Sequence, residues 1–149
     1  MEARQLFERG RRRAGSLGDR AHGYIATYNL AQMALSAGDH QRAAALLTEA
    51  ATLSVEMGDR ANLAYCFEAL ATVAGALGQA QRAARLAGAA QALHETLGLP
   101  VYGYYAPYRT LHQRTLAKVE ATLGAHGFES AIASGRELTV DQAVEYALS

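Results

Sequence analysis

The sequence predicts an all-α protein: a helical-hairpin solenoid (an α-α superhelix) with repeats of about 40 residues and a C-terminal helical cap. Three observations predict it. First, residues 18–58 and 58–98 are two copies of one unit. With Gly18 set over Gly58, 16 of the 41 aligned positions are identical, where an alanine-rich composition would give about 4 by chance. Second, alanine and leucine dominate, tryptophan is absent, and the only prolines are Pro100 and Pro107. Strict alternation of Val, Ile and Thr is missing, so strands are not expected. Third, Gly18-Asp19, Gly38-Asp39 and Gly58-Asp59 each join a residue that ends helices to one that starts them.

That punctuation sets the helices. Glycine accepts the left-handed conformation at a helix C-terminus, and aspartate caps the free N–H groups of the next helix. Helices are predicted near 2–16, 20–37, 40–57, 60–77 and 80–97. Gly78-Gln79 keeps the glycine but offers a weaker cap. The first, 2–17 as a unit, falls in register with the second helix of each hairpin and reads as the second half of a truncated repeat. Arg13 stands there where both other copies have leucine, which suits an edge helix. Such an opening leaves two expectations: an excised fragment of something larger, or a short protein with an orphan capping helix. Repeat 18–57 buries Thr27, Leu30, Ala31 and Ala34, then the stripe Ala43, Leu46, Ala50, Leu53 and Met57. Repeat 58–98 restates these as Phe67, Leu70, Ala71 and Ala74, then Ala83, Leu86, Ala90, Leu93 and Leu97. Alanines beside leucines let helices approach closely, and one hairpin cannot cover its own stripe. Residues 99–149 form the cap: a loop, a helix from Pro107 to about Leu123 ended by Gly124, a short helix near 128–134 stopped by Gly135, and a last helix opened by the capping box Thr139-Val140-Asp141-Gln142. One helical-repeat domain over 1–149 is expected.

Hairpins ending in Gly-Asp resemble tetratricopeptide-like repeats, which makes the predicted architecture a tetratricopeptide-like helical-hairpin solenoid. Their length is similar to the arrays of large bacterial signalling ATPases of the STAND class, many of them LuxR-type (MalT-like) transcription regulators. The segment 84–93 ending in Leu97-Gly98-Leu99-Pro100 resembles the last full repeat of those proteins. So do Leu123-Gly124, Phe128, Ala133-Ser134-Gly135-Arg136-Glu137-Leu138, Ala143 and Tyr146-Ala147-Leu148. The resemblance implies the C-terminal repeat region of such a regulator, in which effector binding biases the on and off states of the whole. These residues contain no G-x-x-x-x-G-K-[ST] loop and no helix-turn-helix module, so ATP and DNA binding would lie elsewhere in such a protein. The 101–108 stretch is richer in tyrosine than the family pattern.

Charge and composition narrow the function. Fourteen basic and 14 acidic side chains leave no net charge, so no global field attracts nucleic acid or an anionic membrane. The one basic run, Arg9 with Arg11-Arg12-Arg13, reads as a solvated helix face or, more sharply, as a phosphate or acidic-partner contact. A single cysteine, Cys66, excludes an internal disulfide. No apolar stretch approaches the roughly 18–20 residues that span a bilayer, and 1–4 do not open a signal peptide. A cytoplasmic location is expected.

Candidate chemistry is sparse. Capping explains Asp19, Asp39, Asp59 and Asp141. His22, His40, His94, His112 and His126 lack metal-ligand spacing and are expected on the surface or in loops. Cys66 is expected as a small buried hydrophobe. Ser54 and Ser130 lack a Gly-x-Ser-x-Gly elbow. No enzyme, cofactor or metal is expected. Binding is the better expectation. Ile25, Tyr28, Asn29, Gln32, Tyr65, Glu68 and Thr72 lie away from the core stripes. They would line a concave groove for a protein, peptide or small effector, or pack between repeats. Tyr102, Tyr104, Tyr105 and Tyr108 form a second candidate contact, or pack under the cap. Ala3, Leu6, Phe7 and Gly10 lack a partner helix and would serve self-association, so a self-standing homodimeric adaptor is the alternative. A small helical enzyme is a remote third.

Overall fold

A computed structural model describes residues 3–98 and 106–149. Among these residues there are seven helices and no strand: α1 (Ala3–Leu17), α2 (Arg20–Ser36), α3 (His40–Met57), α4 (Arg60–Ala76), α5 (Ala80–Leu97), α6 (Ala106–Arg136) and α7 (Val140–Leu148). The local chemistry acts where the sequence puts it. The carboxylates of Asp19, Asp39 and Asp59 accept from the backbone N–H of His22, Arg42 and Asn62 at 3.1, 3.2 and 3.0 Å. Gln79 makes no such bond. Gly58 and Gly98 close α3 and α5 at φ 67° and 65°, a region costly for any side chain. Thr139 and Gln142 complete a reciprocal capping box.

The cap departs from expectation. Gly124 breaks α6 (φ 77°, ψ 160°) as predicted, but helix continues on both sides up to Arg136. The second segment is therefore longer than 128–134. No helix among the described residues is long and apolar enough to cross a membrane.

The chain forms two compact units, Met1–Cys66 and Phe67–Ser149, divided within α4. In the first, α2 packs against both α1 and α3. Thr27, Leu30, Ala31 and Ala34 are buried with Ala43, Leu46 and Ala50, while Leu53 and Met57 are half-buried. Each buried leucine contributes about 1.5–3 kcal/mol relative to exposure. Tyr24 is buried too, and its ring stacks on Tyr28 with centroids 5.6 Å apart.

In the second unit Phe67, Leu70, Ala71 and Ala74 are buried, as are Ala83, Leu86, Ala90 and Leu93. Leu97, expected to extend that stripe, is exposed. α6 lies on α5 with backbones in touch: a Cβ added at Gly135 would sit 1.9 Å from the Arg85 carbonyl oxygen, and one at Gly88 2.1 Å from that of Ile132. α7 is fastened by Arg82, which donates to the carbonyls of Tyr146 and Ala147 at 3.1 and 2.9 Å. The Arg85 guanidinium lies 4.4 Å above the Tyr146 ring. Cations here meet the negative end of the α7 dipole.

Candidate binding face

Residues 25, 28, 29 and 32 share one face of α2, because spacings of three and four return to the same side of a helix. Ile25 is 53% exposed, and Tyr28, Asn29 and Gln32 are half-buried. Tyr28 is held by its stack on Tyr24. Tyr24 in turn donates through its hydroxyl to the Asn62 carbonyl on α4 at 3.4 Å. The first turns of α4 are thereby tied to α2 inside the first unit, and Tyr65 on that segment is half-buried. The face offers an exposed branched hydrocarbon, aromatic area and amides, with little side-chain entropy to lose on binding.

Glu68 and Thr72 do not join it. Both are buried, at 3% and 0% exposure, and both serve the second unit. The Glu68 carboxylate lies 3.2 Å from His94 Nε2, and the Thr72 hydroxyl lies 2.6 Å from His112 Nδ1. The cause is α6. Gly75, one turn on, leaves no room for a side chain: a Cβ there would sit 2.4 Å from Thr115 Cγ2 and 3.1 Å from Val119 Cγ2. With α6 seated so closely, positions 68 and 72 become interior.

The same packing corrects the placement of two histidines. His94 and His112 are buried, not on the surface or in loops. Burial holds the His112 imidazole below its usual range; the nearby Glu68 carboxylate opposes this and His94 adds to it. A neutral imidazole suits its hydrogen bond to Thr72. The signal was present in the spacing. His94 lies four residues after Ala90, and His112 lies three before Thr115 and seven before Val119, all buried. Tyr24 was missed likewise, three residues before buried Thr27.

The other candidates fall as follows. Tyr102, Tyr104 and Tyr105 lie outside the described residues, as does the side chain of Tyr108. Ala3, Leu6 and Gly10 are exposed and Phe7 is half-buried. Arg11 of the basic run is committed within the first unit, with Nε 3.1 Å from both carboxylate oxygens of Glu49. That bidentate pairing raises its pKa. Cys66 is buried as expected, and burial pushes its thiol up to about 12, where thiolate chemistry is suppressed. Among the described residues no group of three or more His, Cys, Asp or Glu could hold a metal ion. Compared with protein-family models, with curated proteins and with solved structures, the chain matches none.

Proposed function

We propose that the chain is a non-catalytic binding module, a tetratricopeptide-like solenoid that engages a protein, peptide or small effector on the α2 face. The observation that carries this reading is Ile25, a β-branched side chain 53% exposed on the same helix face as half-buried Tyr28, Asn29 and Gln32. An exposed hydrocarbon among aromatic and amide groups is the composition of a contact surface. The 40-residue periodicity and its resemblance to the repeat regions of bacterial signalling ATPases and LuxR-type regulators support a sensor or scaffold role in such a regulator.

The test is selection of peptides from a displayed library against the full chain. Ile25→Asp and Tyr65→Ala should each weaken the selected peptides about tenfold or more, with unchanged circular dichroism. Peptides indifferent to both substitutions would refute the assignment. Self-association through α1 is the second reading, favoured by Leu6 at 55% exposure. Light scattering decides it: a dimer lost in Leu6→Glu supports an adaptor, and a monomer at high concentration contradicts one.

A further inference from the structure

One stripe of α1 is exposed where the repeat buries it elsewhere. By register Ala3, Leu6, Gly10 and Arg13 stand where α3 has Ala43, Leu46, Ala50 and Leu53. On α3 the first three of these are buried, α2 packs against the helix, and Leu53 Cδ1 comes within 3.7 Å of a Cβ built on Gly23 of α2. On α1 all four positions are exposed, and Leu6 keeps 55% of its surface in the open. Ala14 is the only buried residue among the 15 of α1, against six on α3. Ala14 rests on α2, 3.7 Å from that same Gly23 position. α2 thus serves α3 as the first helix of its hairpin, and among the described residues α1 has no such helix of its own.

The helix is also basic. Arg4, Arg9, Arg12 and Arg13 are exposed on it. Its one described carboxylate, Glu8, is half-buried and pairs with Arg11 and with Arg42 of α3. Arg13 holds the stripe position that both other copies give to leucine. Leucine there suits permanent cover. Arginine keeps the vacant face wetted, and arginine beside an exposed leucine is the composition of contacts that form and part. The sign of the charge selects the occupant. A second copy would set two arginine-rich faces against each other. A helix with the charges of α2 fits no better: Arg20 pairs with Glu56 of α3, and α1 has Ser16 at that place. We propose that α1 docks an amphipathic helix of another protein, apolar along one stripe and acidic beside it, in the place that α2 takes on α3. Its apolar stripe covers Ala3, Leu6 and Gly10, and a carboxylate at its counterpart of Gly23 meets Arg13.

Two helix-stabilised synthetic peptides test this, both copying Arg20–Ser36: one carries Arg20→Glu with Gly23→Glu, the other Arg20→Lys with Gly23→Lys. Fluorescence anisotropy against the full chain should show the glutamate peptide binding saturably, about tenfold or more tighter than the lysine peptide, and more weakly as salt rises. Arg13→Glu in the chain should erase that preference, and Leu6→Ala should weaken both peptides about tenfold. Both substituted side chains are exposed, so circular dichroism should not change. The proposal is overturned if neither peptide binds at millimolar concentration, if the two bind alike, or if Arg13→Glu leaves the preference intact. It is overturned as well by a dimer of the chain that Leu6→Glu dissolves, or by binding to phosphatidylserine vesicles with indifference to both peptides.

Discussion

The two copies of the 40-residue unit share their glycine stops and most of their apolar stripes and differ in which faces become interior. In the first, the small residues Gly23 and Thr27 are buried and Ile25 stays exposed. In the second, Leu63 and Phe67 are buried, and Glu68 and Thr72 are interior groups bonded to histidines. Positions 28 and 68, or 32 and 72, are equivalent by register yet have opposite fates. A repeat therefore specifies the backbone scaffold, while a handful of substitutions and the neighbour that covers them decide whether a face is core or surface. In this protein the face carrying positions 68 and 72 is covered, while the equivalent face of the first copy is exposed at Ile25.

The sharpest way to break that contrast is to empty the filled copy. Phe67→Ala should destabilise the chain by about 3–5 kcal/mol, since it removes a fully buried ring. The equivalent Thr27→Ala should stay within about 1 kcal/mol, because the hydroxyl it deletes makes no bond. Urea titrations of both variants check this; equal losses would mean the copies are packed alike. The next effect concerns the helix that does the covering. Gly135→Ala forces a Cβ against the Arg85 carbonyl and should cost about 1–3 kcal/mol or more, with hydrogen exchange rising in the second half of α6.

The smallest effect is a pH dependence confined to the covered copy. The folded pKa of His112 lies below its unfolded value near 6.5. The unfolded chain therefore binds the proton first, and the stability contributed by the neutral buried imidazole is full above about pH 6.5 and lost as pH falls below it. Thermal melts between about pH 8 and pH 5 should show this decline, and His112→Asn, which keeps a partner for Thr72, should flatten it. A decline unchanged in the variant would place the titrating group elsewhere.

Most of the backbone was legible because its signals are local. Aspartate three residues before a free N–H, glycine at positive φ, and Thr139 with Gln142 act within one turn, and each does so here. The apolar stripes were legible from spacing alone, up to their frayed ends at Met57 and Leu97. What stayed hidden was non-local. Nothing within the neighbourhood of Glu68 or Thr72 announces that a helix 40 residues later will be drawn onto them. The clue is spread over Gly75, Thr115 and Val119, which become neighbours only in the folded chain. The buried histidines were half legible, since their spacing matched the core while their polarity argued for solvent. The difference in side-chain size was written in the repeat itself, as Gly23 over Leu63 and Thr27 over Phe67, and emerges when the copies are compared for size as well as for identity.

Oxidative footprinting of the full chain by hydroxyl radicals, read residue by residue in a mass spectrometer, tests most directly whether one copy is open and the other closed. Ile25, Tyr28 and Tyr65 should be labelled, with Phe67, His94 and His112 protected until the chain is unfolded. Labelling of Phe67 and His112 at the rate of Ile25, or protection of Ile25 itself, would contradict the account.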